Sequence, residues 1–548
     1  MPLRVFNSFT KRPEEFLPRD PSRVTFYTCG PTVYDDAHIG NFRSFLAADV
    51  LRRWVESPLC ELANETPAQK AAREKNGRTV VHVMNITDVG HMTDDAEGGE
   101  SGEDRMAVAG KRLAEAKKSG KLPPGLADTL NPNDPYQIAK FYTHRFVEDA
   151  KRLGLKLAMD AEKDPALMPR ATQHIAGMQA VIARLIAKGN AYAAGPAGSR
   201  VVYFDVQSFP SYGALSGNTL DKLREGAGGR VAGEHQSQKK HPADFLLWKE
   251  DASHIMKWDS PWGAGYPGWH IECSVMSLEG TKRRSDGATK GGIDLGAYSV
   301  PDGEPLIDIH SGGEDNIFPH HECEIAQSCC AFNAEPSKGS FAKLWFHPRF
   351  LLVEGTKMSK SKGNFFTARD LFAKGIEPAA LRLELIKTHY RSNANFTMQG
   401  LADSQRTVER WRKVLDSAKP GPERDAGALK DFADAMNDDL NIAKAISVVN
   451  SYLTSAGSAT PMVAATLAEI DRVLGVLSLE KPAESQTSLG LFMDGIAPDP
   501  AVIAKLEDRR AARAAKDFKK SDLIRDELLA MGYAIKDVAG GKVEVRRK

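Results

Sequence analysis

The chain has 548 residues, 42% of them hydrophobic and 26% charged, with a net charge of +1. That length is too great for one core and predicts three or four domains. The balanced charge excludes a uniformly basic nucleic-acid binder. No stretch approaches the roughly 20 apolar residues of a membrane span, and the start, MPLRVFNSFTKRPEEF, lacks the apolar region of a secretion signal. A reducing, cytoplasmic setting is expected, because the six cysteines are too few and too scattered for a disulfide framework.

In chain order, RVTFYTCGPTVYDDAHIGNFRSFLAADVLRRWV opens with β-branched and aromatic residues and then turns helical. Phe42, Phe45, Leu46, Val50 and Trp54 recur at helical spacing after a turn marked by Gly and Pro. The polar stretch 57–78 reads as an inserted loop, and TVVHVMNITDVG as a second buried strand. Strands alternating with helices predict a doubly wound, Rossmann-type parallel α/β sheet. On such sheets ligands sit at the carboxyl ends of the strands, where Cys29, His38 and residues 85–88 fall.

Residues 96–134 read as a polar insertion. PRATQHIAGMQAVIARLIAKGNAYA predicts an amphipathic helix, with Ile175, Met178, Val181, Ile182 and Leu185 on one face. YFDVQSFPSYGALSG and DFLLWK flank a basic stretch near 220–242. Another polar insert spans about 280–292, and PLIDIH returns to sheet-like patterning. From 367 the chain reads as helices without strands until GYAIKDVAGGKVEVRRK, with a linker near 480–500 before a last small domain. The expected domains are 1–365 (with a connective insertion at about 96–260), a stem-contact region 366–420, a helical domain 421–485 and a C-terminal domain 500–548.

Chemistry concentrates at three places. Lys357-Met358-Ser359-Lys360-Ser361 lies between Gly355 and Gly363, and two lysines on such a loop can neutralise a leaving pyrophosphate. His38-Ile39-Gly40-Asn41 stands at a strand-to-helix junction, where free N–H groups and the helix dipole favour phosphate; Gly40 lets a nucleotide approach the backbone. Cys29, Cys273, His320 and Glu324 form an acceptable zinc set, with His320 and Glu324 four residues apart. His321 and Glu322 compete for the same role. Each signal has a bland counterpart: a solvated lysine pair, a surface histidine at a helix start, and buried structural cysteines.

Taken together, HIGN followed by KMSKS on an α/β chain resembles the class I aminoacyl-tRNA synthetases. TCGPTVYDDAHIGNFR, NITDVGH, PGWHIECS, FPHHECEIAQS and KMSKSKGNFFT resemble the cysteinyl-tRNA synthetase family in particular, from about residue 3 to the end. The resemblance implies one zinc per chain on Cys29, Cys273, His320 and Glu324. It implies ATP, with Mg2+, at His38, Gly40, Asn41, Asp315 and Lys360, with His38, Lys357 and Lys360 catalytic. Cysteine would contact Thr87 and Trp269. FTARDLFAKGIEPAALRLELIKTHYRSNANFT resembles the region gripping the inner corner of tRNA, and FADAMNDDLNIAKAISVVNSYL the all-helical anticodon-stem domain. Arg513, Phe518, Asp522 and Asp537 match anticodon-reading positions, with Phe518 where a tryptophan is common. The partners implied are tRNA(Cys), ATP and L-cysteine, with no membrane, and the expected state is a monomer.

The chain departs from the family pattern at Asn41, which replaces a second histidine, at Ser311, which replaces a glycine, and at Cys323, which replaces an asparagine and sets a spare thiol near the metal. A competing reading is a cysteine–amine ligase of the mycothiol pathway type, which should lack the C-terminal module. A catalytically dead nucleotide- or RNA-binding paralogue should have lost ligands, and this chain retains them.

Overall fold

The computed structural model describes residues 1–91, 103–120, 122, 129–218, 220, 238–285, 294–295, 298–300, 304–335, 341–359, 363–480, 485–486, 489–493, 499–538 and 543–547. A hairpin of β1 (Arg4–Asn7) and β2 (Arg12–Glu15) precedes β3 (Arg23–Thr28), α1 (Ile39–Glu56), α2 (Pro67–Asn76) and β4 (Thr79–Met84). Then follow α3 (Arg105–Lys118), α4 (Pro135–Arg152), α5 (Lys156–Asp160), α6 (Ile175–Ala187) and an antiparallel sheet of β5 (Ala191–Ala194), β6 (Val201–Phe204), β7 (Phe245–Glu250) and β8 (Gly265–Pro267). The chain returns through α7 (Trp269–Ser285), β9 (Ile307–Ser311), α8 (Glu322–Phe332) and β10 (Ala342–Phe346).

The central sheet is parallel, in the order β10-β9-β3-β4. The chain leaves β3 toward β4 and later resumes on its other side with β9. That reversal opens a crevice between the carboxyl ends of β3 and β9, where doubly wound sheets bind ligands. Its strands are nearly continuous apolar runs because helices cover them: α1 and α7 both pack on β3 and β4. The predicted apolar stripe of α1 is buried in full. Of the long stretch predicted as one amphipathic helix, only Ile175–Ala187 is α6, and its predicted face is the buried one; the end of that stretch pairs as β5.

Two expected loops are helical. Within 57–78, Thr66 and Gln69 form a capping box that starts α2, so a polar composition hides a helix with good end chemistry. Within 96–134, Asp104 caps α3, which buries Met106, Ala109 and Leu113; residues 92–102, 121 and 123–128 lie outside the described residues. The basic stretch near 220–242 and the insert near 280–292 also fall largely outside them, although α7 continues to Ser285.

A small sheet of β11 (Leu351–Val353), β12 (Thr356–Lys357) and β13 (Ala394–Phe396) leads into helices. These are α9 (Ala368–Ala373), α10 (Pro378–Ile386), α11 (Met398–Ser417), α12 (Ala426–Asn437), α13 (Ile442–Ala456) and α14 (Pro461–Leu474). The buried Arg382 of α10 joins them to the first domain: it meets Asp49 of α1 at 2.6 Å and donates to the Leu474 carbonyl of α14. The C-terminal unit has its own core of Leu489, Phe492, Val502, Leu506, Ile524, Leu528 and Val545. It consists of β14 (Ser485–Gln486), β15 (Gly490–Phe492), α15 (Pro500–Ala514), α16 (Phe518–Ala530), β16 (Tyr533–Asp537) and β17 (Val543–Arg547), with sheet order β14-β15-β17-β16. The stretch expected as a plain linker thus supplies β14 and β15. Like β13, these strands are too short to carry an alternating pattern.

Candidate active site and metal centre

β3 ends at Thr28 and delivers Cys29 into the crevice, where its N–H donates to the Ser311 carbonyl at the end of β9. α7 brings Cys273 to it, with the two sulfurs 3.8 Å apart. His320 lies in an irregular turn, Ile317–His321, ahead of α8 rather than in the helix itself. Even so, its Nε2 meets Glu324 Oε1 at 2.9 Å, and that oxygen stands 3.5 Å from Cys29 Sγ. All the donor atoms of this quartet lie within 4.8 Å of one another and are buried. Two thiolates held about 2.3 Å from a tetrahedral zinc stand about 3.8 Å apart, so the observed sulfur separation suits that ion.

A second set, Cys29, His310, His321 and Glu324, meets the same distance test. His310 Nε2 contacts Glu324 Oε2 at 2.9 Å, while His321 contacts His347 Nε2 through Nδ1 at 2.7 Å and turns its Nε2 toward Cys29 Sγ at 3.3 Å. His310 thus orients the Glu324 carboxylate from behind. The Cys29–Cys273–His320–Glu324 set offers two soft donors and is the better zinc site. Glu322 points elsewhere and accepts from the Gly213 and Ser216 N–H groups. Burial pushes the Cys29 thiol up. Burial also opposes a charge on His320 and Glu324, yet their partners win. Cys273 and Glu324 raise His320 to about 10, and His310 and His320 lower Glu324 to about 2. Two thiols, an imidazole and a carboxylate converging on one buried point suit a metal cation.

Beside this cluster is a cavity of about 190 Å³ lined by Cys29, His38, Gly40, Asn41, Asp315, Phe350 and Lys357, among others. His38 caps α1: its Nδ1 accepts from the Asn41 N–H, and Asn41 Oδ1 accepts from the His38 N–H, both at 3.1 Å. Asn41 therefore serves the cap, which needs no charge and accounts for the missing second histidine. A Cβ on Gly40 would come within 2.7 Å of Met358 Cε and 2.9 Å of His38 Nδ1. A side chain there would push back Met358 Cε and the His38 ring, so glycine keeps the HIGN turn close to the lysine loop. Asn364, which the sequence reading passed over, ties that loop by accepting from the Ser359 N–H and donating to Thr356 Oγ1. Lys357 is exposed, 5.5 Å from the Phe350 ring; Lys360 lies outside the described residues. Arg43 of α1 donates to the carbonyls of Arg349, Leu385, His389 and Ser392, fixing α1 to the start of β11.

Trp269 opens α7 with its ring 4.3 Å from that of His320, so it flanks the metal cluster. Thr87 is buried and accepts from Asn85 Nδ2 at 3.0 Å. Nearby, the fully buried Glu272 meets His91 at 2.8 Å, a pair separated by too much sequence for spacing to reveal. The Ser311 hydroxyl pairs with Thr28 Oγ1 at 2.8 Å, so replacing the glycine adds a bond behind Cys29. Cys323, next to Glu324 in the chain, faces the Tyr212 hydroxyl at 3.4 Å and belongs to neither candidate metal set.

In the C-terminal unit, Phe518 and Asp522 are exposed on α16. Arg513 and Asp537, both expected to face RNA, pair with each other at 2.9 Å. Arg509, which sequence reasoning missed, holds the same carboxylate through two contacts.

Residues 15–64 and 68–406 match the family described as tRNA synthetases class I (C) catalytic domain. Residues 499–546 match the Cysteinyl-tRNA ligase anticodon binding domain. Among solved structures, agnB2 LeuRS of Agrobacterium radiobacter K84, in a ternary complex with tRNA and LeuAMS, aligns with a TM-score of 0.51 over 97% of each chain at 11% identity, a likeness of fold alone. The chain is thus a class I tRNA synthetase by fold and by catalytic domain. Curated relatives named Cysteine--tRNA ligase narrow this further. That of Salinibacter ruber is 36% identical over 100% of this chain and 98% of its own, and one from Thermus thermophilus is 37% identical over 99% and 98%. The protein belongs to the cysteine–tRNA ligase family.

Proposed function

We propose that the protein activates L-cysteine with ATP and transfers it to the terminal ribose of tRNA(Cys). The observation that carries this reading is the double placement of Cys29, which belongs to the two-thiol cluster and also lines the cavity beside the HIGN turn. A thiol-selecting site and a nucleotide site share a wall. In the first step the cysteine carboxylate oxygen attacks the α-phosphorus of ATP, and pyrophosphate leaves with the bridging oxygen. In the second, the terminal ribose hydroxyl attacks the adenylate carbonyl, loses its proton and releases AMP.

No side-chain nucleophile is needed; positioning and charge stabilisation carry the rate. His38 and Gly40 frame the phosphates, Asp315 meets the ribose, and Lys357 with Lys360 stabilises the departing pyrophosphate. Mg2+ accompanies the ATP. Trp269 and Thr87 face the amino acid. Cys29, Cys273, His320 and Glu324 would hold one zinc, and a bound zinc favours ionised thiols over alkyl hydroxyls. Arg513, Phe518, Asp522 and Asp537 of the C-terminal unit face the anticodon. The chain acts as a monomer in the cytoplasm. Among its described residues no helix is long and apolar enough to cross a membrane.

The test is cysteine-dependent exchange of pyrophosphate into ATP, read beside zinc content. Cys273→Ala should lose the metal and slow exchange by more than about 100-fold, since outer-ring changes alone cost 10–100-fold in metal affinity. Full zinc and normal exchange in that variant would overturn the metal assignment. Truncation after residue 485 should leave exchange near normal and cripple tRNA charging; equal charging by the truncated chain would overturn the role of the C-terminal unit.

A further inference from the structure

The segment that feeds the HIGN turn is held by three arginines from two neighbouring helices. Arg105 of α3 donates to the Tyr34 hydroxyl at 2.9 Å, and Arg112 of the same helix donates to Asp35 Oδ2 at 2.6 Å. Asp36, two residues before His38, receives the firmest hold. Nε and Nη2 of Arg145, on α4, donate to its Oδ1 and Oδ2, each at 2.6 Å. This is a parallel fork, which fixes distance and direction together as a single charge contact does not. The next residue of α4, Phe146, stacks on Phe42 of α1 with ring centroids 5.7 Å apart. Thus α4 grips both the loop before the turn and the helix after it.

The same helix also receives the far end of the lysine loop. Arg369, in the first turn of α9, donates through Nη2 to the Arg145 carbonyl at 2.9 Å and through Nε to Asp149 Oδ2 at 3.2 Å. Just ahead of it, the Phe366 carbonyl accepts from the Ile39 N–H at 3.0 Å, and His38 and Thr367 form a β-bridge. The turn and the loop therefore touch each other, and both rest on one helix. We infer that Arg145 is a positioning residue for adenylate formation: its fork on Asp36 and its carbonyl on Arg369 keep His38 and the lysine loop in register across the cavity they line. This rests on the proposed adenylation chemistry.

The experiment is cysteine-dependent pyrophosphate exchange by the full chain carrying Arg145→Met, Arg145→Lys, Arg369→Met or Lys360→Ala, or either Arg145 change together with Lys360→Ala. Lys140→Met controls for the loss of one exposed charge on α4 and should exchange normally. A misplacement of about 1 Å at the reacting centre can cost about 10²-fold, so Arg145→Met should lower kcat by about 10–100-fold. The KM for cysteine and the zinc content should not change, because the metal cluster comes from the end of β3, from α7 and from α8 with the turn before it. Arg145→Lys should recover part of the loss, since it keeps the charge without the fork. Arg369→Met frees only the lysine-loop side and should cost less than Arg145→Met. Without Lys360, Arg145→Met should cost a smaller factor than it does in the wild type, because residues acting through one contact are not additive.

A normal kcat for Arg145→Met, beside an active wild type and a slow Lys360→Ala, would overturn the inference. So would a loss from Arg145→Met that is the same factor with and without Lys360, as a general loosening of the domain would give. If the wild type shows no cysteine-dependent exchange, or Lys360→Ala exchanges normally, the adenylation reading of the loop fails, a separate result. Thermal unfolding of each full-length variant identifies any loss through misfolding. Arg145→Lys then carries the test: its kcat must fall while the KM for cysteine holds, and the fall must shrink without Lys360.

Discussion

The candidate metal cluster and the C-terminal charge cluster both gather acids and bases, yet they use opposite physics. In the first, Cys29, Cys273, His320 and Glu324 arrive from β3, α7, the turn before α8 and α8 itself, and all are buried. Desolvation penalises every charge there, so each polar atom needs a fixed partner, and His310 and His347 supply an outer ring. In the second, Arg513, Phe518, Asp522 and Asp537 come from one short segment and are between 41% and 67% exposed. Ion pairs exposed in this way contribute about 0–1 kcal/mol. Removing one partner of a buried pair costs about 3–5 kcal/mol. The buried cluster is therefore built before its ligand arrives, whereas the exposed one is completed by its partner. A substitution in the first should abolish a step, and one in the second should grade it.

The widest gap between the two should appear in substrate choice. A site built to bond one group can reject an analogue lacking it by roughly 10⁴–10⁵-fold. Serine, which replaces the thiol by a hydroxyl, should support pyrophosphate exchange at barely detectable rates, without a hydrolytic proofreading step. Appreciable seryl-adenylate from the wild-type chain would mean that the buried cluster does not select the substrate.

The lysine loop lies between the two regimes, exposed at Lys357 yet seated on Gly40 through Met358. Lys360→Ala should slow adenylation by about 10²–10³-fold, the cost of one contact made as charge develops, and change cysteine binding little. An unchanged rate in single-turnover adenylation would return the loop to a solvated surface segment.

The contrast also governs what the sequence discloses. Strand ends and the face of α1 were legible because apolar periodicity encodes burial directly: Phe42, Phe45, Leu46, Val50 and Trp54 are all buried. Cys29 and Cys273 are 244 positions apart, so their spacing carried almost no information. Only co-occurring motifs suggested the quartet; the fold turns Glu322 away, while both His320 and His321 face the cluster. His310 was hidden inside a strand, since a histidine in an apolar run gives no sign of the carboxylate it will meet. The capping box of Thr66 and Gln69 was in plain view, and overall polarity obscured it. In the C-terminal unit the residues themselves were legible, but the contacts among them were not. The paired contacts of Arg509 and Arg513 on Asp537 join α15 to the end of β16 and leave no trace in local spacing.

Phe518 gives the smallest effect and the sharpest view of the exposed regime. Its side chain opens α16 and is among the most exposed large apolar groups in the described chain, at 62%. Packing does not explain that exposure, because the core of this unit is formed by Ile524, Leu528 and their neighbours on other faces. The proposed stacking on a base would: every base has a π-face, and an aromatic platform contributes about 1–3 kcal/mol per base. Phe518→Ala should raise the KM for tRNA by roughly 5–150-fold, the same range expressed as a binding ratio. Its thermal stability should stay within about 0.5 kcal/mol of wild type, as for a surface change outside any packed contact. Phe518→Trp, with a larger ring, should charge tRNA at least as well as the wild type. The loss in Phe518→Ala should persist at high salt, because stacking is not screened, whereas any contribution of Arg513 to backbone phosphates should weaken there. Charging kinetics at two ionic strengths test this. If the Phe518→Ala defect disappears with added salt, the ring serves the charge cluster and not the base, and the two halves of the exposed site are one.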